Sequence, residues 1–441
     1  MINSDCRKYF TPQPAFENLF QKTSSDTEKR KVVPIVLGVQ HSVDTGAVKD
    51  ISYEFDVSKW VCDTCDDETS DQCKLMMQKL DDVITIRREQ PNHGEIYSQL
   101  EAIADNVCTE LPKLQANLEK VLAIPTGSAY SDVKVGLPYE LDFLLQIQLR
   151  SDNPSDFTMA TFYALMSELR EKQLVLNEQN KGWTLHGIQE HRVGACLVLT
   201  YDDEASSQRL GVTIDLVPAY RVTEKDLERF SLREETLTYL SHHCSLERTG
   251  KSDVYTLVSA IRDSTFDTGV LKNDILASMS AEQKRGFRVA KYLLQNGVCF
   301  DDAQYSKLLP RDVSLTLYGC RPVLKSFYVR ICFLHLLLQL HKHDVTPQQL
   351  GGFRLALCVL DMFQTVFQTI HDEKIKDPSL MLSFVDPVIK DEHLQYKLMW
   401  AASRCQYFAM RIKRVTDAFL RDSKTCDISR YKLYNYPALE A

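Results

Sequence analysis

The sequence of 441 residues lacks an apolar run long enough to cross a membrane. Its longest apolar segment, Val329 to Leu340, is interrupted by Arg330 and His335, whereas a membrane-spanning helix needs roughly 20 largely apolar residues. The first residues also lack the apolar core of a secretory signal peptide. These two absences predict a cytoplasmic protein with no membrane partner.

An excess of positive charge is missing as well. The formal net charge is −8, so any contact with a nucleic acid must come from local clusters of Lys and Arg. The 13 cysteines are odd in number, which suits the reducing cytosol and predicts mostly small buried thiols. Cys62, Cys65 and Cys73 offer part of a tetrahedral zinc site, but no second clean pair follows. Free thiols are therefore favoured there, and zinc is the less favoured alternative.

The chain is long enough for two lobes. Residues 1–75 contain two candidate strands, Val32 to Leu37 and Ile51 to Val57, among turn-forming residues, and predict an N-terminal extension of unclear structure. Residues 76–223 predict one lobe that contains strands. Residues 224–441 show mainly helical periodicity and predict a helical C-terminal lobe. The expected fold class is α+β.

Two stretches in the first half of the chain show helical spacing of apolar residues. They run from Leu75 to about Arg88 and from Ile96 to Leu122, and Pro112 is expected to kink or split the second helix. Lys113 and Lys120 in the second stretch are diluted by acidic residues. A solvated helix face is therefore at least as plausible there as a nucleic-acid-binding face.

Two carboxylates, Glu140 and Asp142, interrupt an apolar run. In a strand, side chains two residues apart share a face, so the two acids lie side by side while Leu141 and Phe143 point into the opposite layer. Ionised neighbours repel each other unless they share a proton or a cation. Hard oxygen ligands suit Mg²⁺, which predicts a metal site.

Paired-metal phosphoryl-transfer sites need more than two carboxylates to hold ions about 3.5–4 Å apart. Asp215 is the candidate third acid, because it lies alone in an apolar strand pattern. Val212, Ile214 and Leu216 form one face of that strand, and Asp215 lies on the other. The preceding pattern, Gly194 to Tyr201, predicts the first strand of an antiparallel hairpin. The hairpin can bring Asp215 beside the other two acids.

A turn at Gly127 and Ser128 supplies the second half of the predicted site. Glycine lets the backbone approach a phosphate closely, and the serine offers a hydroxyl and an N–H where the chain turns after the preceding helix. The pair is a weak signal alone. It becomes a strong one because Glu140 and Asp142 follow 12 and 14 residues after Ser128, with Asp215 farther along.

The pattern Gly-Ser-x-Tyr-x-x-Val-Lys-Val-x-x-Pro-x-Glu-Leu-Asp, from Gly127 to Asp142, resembles the cyclic GMP-AMP synthase (cGAS) and cGAS-like receptor family of Mab-type nucleotidyltransferases. The resemblance covers roughly Ile96 to the C-terminus. It implies a bilobal nucleotidyltransferase fold in which a mixed sheet in the N-lobe carries the catalytic acids. The implied activity joins ATP, GTP or other nucleoside triphosphates into a cyclic dinucleotide for innate immune signalling. Two Mg²⁺ or Mn²⁺ ions would be held by Glu140, Asp142 and Asp215.

The resemblance also implies contacts from the second lobe. Lys291 matches a lysine that contacts nucleotide phosphate, and Ser326 and Phe327 match a serine-tyrosine pair that hydrogen-bonds and stacks on a base. Phenylalanine keeps the stacking face but lacks the hydroxyl. Arg330 is a further candidate for nucleotide binding. The alternatives are a core aromatic at Phe327 and surface cations at Lys291 and Arg330.

One departure from the family concerns zinc. Its zinc insertion would fall near 267–287, yet Asp267 to Phe287 contains no Cys or His, so no zinc is expected. Relatives without this insertion tend to sense double-stranded RNA, which is therefore the first candidate activator, with oligomerisation only on ligand binding. The clearest basic excess lies late, from Arg404 to Lys432. The open alternatives are a catalytically silent scaffold and an oligoadenylate-type or tailing transferase.

Overall fold

The computed structural model of the protein describes 21 parts of the chain. They are residues 32–41, 48–56, 67–85, 91–135, 139–151, 153–203, 208–222, 255–260, 266–267, 269–296, 316–317, 321–322, 329–330, 332–334, 336–337, 340, 347–372, 381–385, 393–397, 402–429 and 431.

The helices are α1 Asp67–Ile84, α2 Pro91–Leu114, α3 Gly127–Tyr130, α4 Met159–Glu171, α5 Gly269–Ala277, α6 Ala281–Asn296, α7 Pro347–Asp372 and α8 Ala402–Ser423. The strands are β1 Val32–His41, β2 Val48–Asp56, β3 Leu118–Thr126, β4 Tyr139–Leu149, β5 Trp183–His191, β6 Gly194–Asp203, β7 Gln208–Arg221, β8 Tyr255–Leu257, β9 Phe266–Asp267, β10 Thr316–Leu317, β11 Arg321–Pro322, β12 Met381–Val385 and β13 His393–Lys397. Short 3₁₀ turns lie at Pro154–Asp156 and Val258–Ala260.

The central sheet is mixed and has the strand order β3-β4-β7-β6-β5. β4 and β7 are parallel, whereas the other neighbouring pairs are antiparallel. β8 pairs with the end of β7, and β9 pairs with β8. Together with the helices, this sheet confirms the predicted α+β class, and the β6/β7 hairpin is also confirmed.

One face of the sheet packs into a hydrophobic core. Leu141 and Phe143 on β4 are buried on it, as are Val212, Ile214 and Leu216 on β7. They pack with apolar residues of α2 and α4, such as Leu100 and Phe162, in one cluster. The alternation read from the sequence is therefore confirmed, and the acids on these strands lie on the opposite face.

The stretch before Gly127 differs from the prediction. The structure ends α2 at Leu114 and forms strand β3 from Leu118, so the predicted helix up to Leu122 is wrong in its last part. Pro112 lies within the last turn of α2. Leu118 and Val121 fit a helical spacing but serve an edge strand, where Pro125 is tolerated because one edge needs no ladder partner.

A second hydrophobic cluster joins α1, α6, α7 and α8 with the described helical residues between 329 and 340. Its largest fully buried side chains include Tyr292, Phe333, Phe363 and Phe419. The described residues from Gly269 onward are mainly helical, but they also contain the short strand pairs β10/β11 and β12/β13, which the periodicity did not indicate.

Among the described parts of the chain, one helix is apolar enough to be compared with a membrane span. By length and composition, Leu350–Gln368 of α7 could cross a membrane, and 67% of it is buried inside the protein. Its buried side chains belong to the second hydrophobic cluster.

Candidate active site

The parallel pairing of β4 with β7 brings the three predicted acids together. Asp142 lies directly opposite Asp215, and Glu140 is opposite Thr213 on the same face. One carboxylate oxygen from each of Glu140, Asp142 and Asp215 lies within 4.8 Å of the others. This group is called the acidic triad below.

The triad lies at one end of the sheet face that is not covered by the main core. Farther along the same strands, a small apolar cluster of Leu144, Ala219 and Tyr255 begins, and Val270 of α5 packs against it. The triad therefore has an apolar neighbour along the strands, and its three acids are half-buried.

The pKa values of the three acids of the triad are shifted in different directions. Burial, followed by the charge of Glu140, raises the pKa of Asp142 to about 7. Burial also raises the pKa of Asp215, although a hydrogen bond from the Cys196 thiol opposes this. The charge of Lys134 holds the pKa of Glu140 below its ordinary value against the effect of burial. Near neutral pH, the metal-free triad therefore keeps part of a proton, mainly on Asp142.

Lys134 is a member of the site that the sequence did not single out. Its Nζ lies 3.2 Å from Glu140 Oε2, and the residue is 8% exposed. It belongs to a short loop after α3 in which Val133 is fully buried in the second hydrophobic cluster. The loop thus joins the helical cluster to the acidic triad. In the sequence, the loop lies between the Gly-Ser turn and the acids, and this position is the signal that could have identified Lys134 as a site residue.

The turn at Gly127 directly contacts the triad. Gly127 has φ 81°, and a Cβ there would lie 1.8 Å from Asp142 Oδ2, so only glycine fits. Thr126 Oγ1 donates to the Asp142 carbonyl at 3.1 Å, and Ser131 Oγ donates to the Gly127 carbonyl at 3.1 Å. The turn follows strand β3, so its predicted position after a helix is wrong. Ser128 is partly exposed at the start of α3.

Lys291 on α6 and Arg330 also lie in the surroundings of the triad. Lys291 is 3% exposed and its Nζ donates to the Val133 carbonyl at 3.4 Å, which excludes the surface alternative. Burial, followed by the charge of Lys134, lowers the pKa of Lys291 to about 7. Arg330 Nη1 donates to Asn273 Oδ1 at 2.9 Å, and its charge acts on Asp142.

Two predicted nucleotide contacts and part of the alternative zinc site lie outside the described residues. They are Ser326, Phe327, Cys62 and Cys65. Cys73, the third cysteine of that group, is a buried free thiol on α1.

A buried ion pair clamps the Lys134 loop. Arg288 on α6 donates from Nε and Nη2 to the two carboxylate oxygens of Asp81 on α1, each at 2.7 Å. Its Nη1 donates to the Asp132 carbonyl at 2.6 Å. The Asp81 carboxylate is also bonded by Thr85 Oγ1 at 2.7 Å. Because Asp132 precedes Val133 and Lys134, this pair fixes the backbone that carries the cation on Glu140.

Two further polar side chains lie beside Asp215. Cys196 on β6 is directly opposite Asp215 on β7, and His191 lies at the end of β5. Donor atoms of all three residues lie within 4.8 Å of one another. No local sequence pattern points to Cys196 or His191, because a lone Cys in a strand and a His at a turn are common.

The predicted basic regions differ in their surroundings. On α8, Lys413, Arg414 and Arg421 are exposed along one side of the helix. Lys113 on α2 is paired with Glu110 at 2.6 Å, and Lys120 lies on strand β3 rather than on the helix. The exposed cations are therefore more concentrated on α8.

No protein-family model and no curated protein matches the sequence. The solved structures that match the chain include two of low similarity. CdnC of E. coli MS115-1 in its complex with HORMA-deltaN is 14% identical, with a TM-score of 0.39, covering 80% of this chain and 90% of that chain. CdnC of E. coli MS115-1 with ATP is 14% identical, with a TM-score of 0.38, covering 80% of this chain and 91% of that chain. Similarity this low carries no conclusion about activity.

Proposed function

We propose that the protein is a metal-dependent nucleotidyltransferase that joins nucleoside triphosphates into a cyclic dinucleotide messenger. The observation that carries this proposal is the convergence of Glu140, Asp142 and Asp215, with a glycine turn pressed against Asp142. A scaffold would gain nothing from three crowded acids, whose mutual repulsion costs stability. The resemblance to the cGAS-like receptor family supports the same activity.

The triad fits a site for Mg²⁺ or Mn²⁺. All three donors are carboxylates, which such ions prefer. Burial together with the charge of Glu140 raises the pKa of Asp142 to about 7, which is the electrostatic sign of a site with too little positive charge. When bound, two such ions would supply Lewis-acid stabilisation of charge on the transferring phosphoryl group.

The residues of the chain would then act as follows. The triphosphate would be held by the backbone at Gly127 and by the hydroxyl and N–H of Ser128. Because a Cβ at position 127 would overlap the Asp142 carboxylate, the turn lies directly against the triad, and the bound phosphates would lie next to it. Lys291 and Arg330 would face its negative charge from the second lobe. Asp215 would orient the attacking ribose hydroxyl and accept its proton at the carboxylate, which its raised pKa favours. Each bond formed would release one pyrophosphate.

The cyclic product is the finer part of the proposal and rests on the resemblance. A second transfer would occur after the linear product turns over in the same site. Double-stranded RNA is the first activator to test, because α8 presents exposed Lys413 and Arg414. ATP and GTP are the first substrates. A cytoplasmic location and oligomerisation only on ligand binding belong to the same proposal.

The test is one incubation of the purified chain with mixed nucleoside triphosphates, Mg²⁺ or Mn²⁺, and RNA or DNA candidates, with products resolved by mass. A cyclic dinucleotide with two pyrophosphates per product supports the proposal. Linear oligoadenylate or a tailed RNA would instead indicate another transferase. Absence of every transfer product under all conditions would overturn the proposal and favour a scaffold.

A further inference from the structure

The described residues contain a second cluster of possible metal ligands beside the acidic triad. Its donors are the His191 ring nitrogen, the Cys196 sulfur and an Asp215 carboxylate oxygen, all within 4.8 Å of one another. The triad offers only oxygen, whereas this cluster combines nitrogen, sulfur and oxygen. Such a mixture suits Zn²⁺ and related thiophilic ions and is poorly matched to Mg²⁺.

Three adjacent strands build this cluster. Cys196 on β6 is opposite Asp215 on β7 and opposite Gln189 on β5. His191 follows two residues after Gln189, so a regular strand places its side chain on the same face. The three ligands therefore come from neighbouring strands and one side of the sheet.

The backbone near His191 is held in place. His191 pairs with Gly194 across the β5/β6 hairpin, and the Tyr163 hydroxyl donates to the His191 carbonyl. A Cβ at Gly194 would lie 2.2 Å from the Leu216 carbonyl oxygen, so the hairpin lies directly against β7. These contacts fix the distance between the end of β5 and the strand that carries Asp215.

The exposure of the three residues leaves one side open. Cys196 is 6% exposed, Asp215 is half-buried and His191 is exposed. In a tetrahedral zinc site, bond lengths of about 2.0–2.3 Å place ligand atoms roughly 3.3–3.8 Å apart. Closing the observed separations needs a side-chain movement on the order of 1 Å, which the exposed His191 ring can make.

We propose that His191, Cys196 and Asp215 bind one thiophilic divalent cation, with Zn²⁺ as the reference ion, and that this ion competes with Mg²⁺ for Asp215. The binding part is independent of the proposed function. The inhibitory consequence, loss of Mg²⁺-supported transfer when the cluster is filled, rests on the proposed function. Zinc is then an inhibitor rather than a required cofactor.

The first experiment titrates the full-length metal-free protein with Co²⁺, which reports thiolate coordination through its charge-transfer absorption. Wild-type protein should bind one Co²⁺ with this signal. Cys196→Ala should lose the signal, and His191→Gln should weaken the affinity at least about tenfold. Cys108→Ala is the matched control, since Cys108 is another buried free thiol, located on α2. Loss of the signal in that control as well, or its retention in Cys196→Ala, would overturn the site.

His191→Gln keeps the experiment decisive if Cys196→Ala folds poorly, because His191 is exposed. Unchanged Co²⁺ affinity in this folded variant would remove His191 from the site and overturn the proposal. Thiols other than Cys196 are the same in the wild type and in His191→Gln, so a difference in Co²⁺ affinity between these two proteins comes from His191.

The second experiment tests competition without relying on activity. Excess Mg²⁺ should weaken the apparent Co²⁺ affinity of the wild type, because both ions need Asp215. Unchanged affinity would overturn the competition. Zn²⁺ should also inhibit transfer at least about tenfold more strongly in the wild type than in His191→Gln, each relative to its own zinc-free rate. A Cys196-dependent Co²⁺ signal in a protein without any transfer activity would leave the metal site standing and reject the proposed function.

Discussion

The buried carboxylates of Asp81 and Asp142 have pKa values that are shifted in opposite directions. Burial alone would raise the pKa of Asp81, but the hydrogen bonds and charge of Arg288 outweigh it, and the pKa is held below its ordinary value. Burial and the charge of Glu140 raise the pKa of Asp142 to about 7. Asp81 therefore has enough partners, and the acidic triad does not.

This difference separates a structural acid from a candidate functional one. A carboxylate that is buried but fully bonded, such as Asp81, holds helices and a loop together. Carboxylates that are crowded against each other, of which Glu140 is ion-paired with Lys134, lower the stability of the metal-free protein. Binding of a cation, as proposed, would offset that cost. The comparison predicts opposite effects for mutations in the two groups.

The largest expected effect is the loss of transfer in Asp142→Asn. Removing a metal ligand forfeits several kcal/mol of transition-state stabilisation, which corresponds to a loss of at least about 10³-fold in rate. The fold of the metal-free protein should be unchanged or slightly more stable, because repulsion within the triad is relieved. Product analysis and thermal unfolding measure the two effects. Wild-type turnover with Mg²⁺ would refute the metal assignment.

Asp81→Ala should have the opposite effect on stability. It leaves the Arg288 guanidinium buried without its carboxylate, which typically costs about 3–5 kcal/mol. Denaturant unfolding measures the loss, and the exposed neighbour Asp82→Ala is the control, with an expected change within about 0.5 kcal/mol. Equal losses in the two variants would contradict the comparison.

The pH dependence of stability separates the two groups further. Because the pKa of Asp142 is raised from 3.8 to about 7, the native state holds this proton more tightly than the unfolded chain. Its stabilising contribution is complete below about pH 4 and is lost as the pH rises to about 7. The lowered pKa of Asp81 has the opposite sign, so its contribution is lost as the pH falls.

We therefore expect the melting temperature of the metal-free wild type to fall relative to Asp142→Asn between pH 4 and 7. Added Mg²⁺ should remove this difference above pH 7, because it binds the ionised triad. Calorimetry in two buffers of different ionisation enthalpy should show proton release on Mg²⁺ binding. A parallel pH profile for the two proteins would argue against the raised pKa.

Lys134→Gln should have a smaller effect, which strengthens Mg²⁺ binding and weakens triphosphate binding. Loss of the cation 3.2 Å from Glu140 removes repulsion toward a metal ion, so Mg²⁺ should bind about 5–10-fold more tightly. The triphosphate KM should rise by a similar factor, because its negative charge loses an attraction. Lys113→Gln is the control, since Lys113 pairs with Glu110 away from the triad. Weaker Mg²⁺ binding in Lys134→Gln would be the contrary result.

Features of the fold and of the candidate site that depend on residues close together in the sequence could be predicted from it. The faces of β4 and β7 follow from the period of two, so Glu140, Asp142 and Asp215 were found together with their buried neighbours. The turn at Gly127 is predicted from the Gly-Ser pair together with its spacing to Glu140 and Asp142, although it follows a strand and not the predicted helix. β3 was misread because its apolar spacing continues that of the preceding helix.

The rest depends on contacts between distant parts of the chain. Asp81 and Arg288 are 207 residues apart, and neither residue type signals a partner in the sequence. Lys134 acquires its role because Val133 is buried in the helical cluster, which turns the next side chain toward Glu140. Cys196 matters only because β6 pairs with β7 in a register that places it opposite Asp215.

The smallest expected effect concerns the exposed cations of α8 and of α2. If double-stranded RNA activates the enzyme, the double reversal Lys413→Glu and Arg414→Glu should weaken activation and reduce the salt dependence by about one unit of slope per lost phosphate contact. Triphosphate binding should be unaffected. Reversal of the paired Lys113 should change less. If the double reversal leaves both activation and its salt dependence unchanged, α8 is not the sensor, and the region of Lys113 and Lys120 is next.

The contact between Gly127 and Asp142 has a thermodynamic consequence. Because a Cβ at position 127 would overlap the Asp142 carboxylate, the turn and the carboxylate have little freedom to move separately. In the proposed enzyme, a triphosphate on the turn and a metal ion on Asp142 therefore bind to a single unit of the molecule. Each must change the affinity of the other by the same factor. Gly127→Ala would then weaken both ligands together.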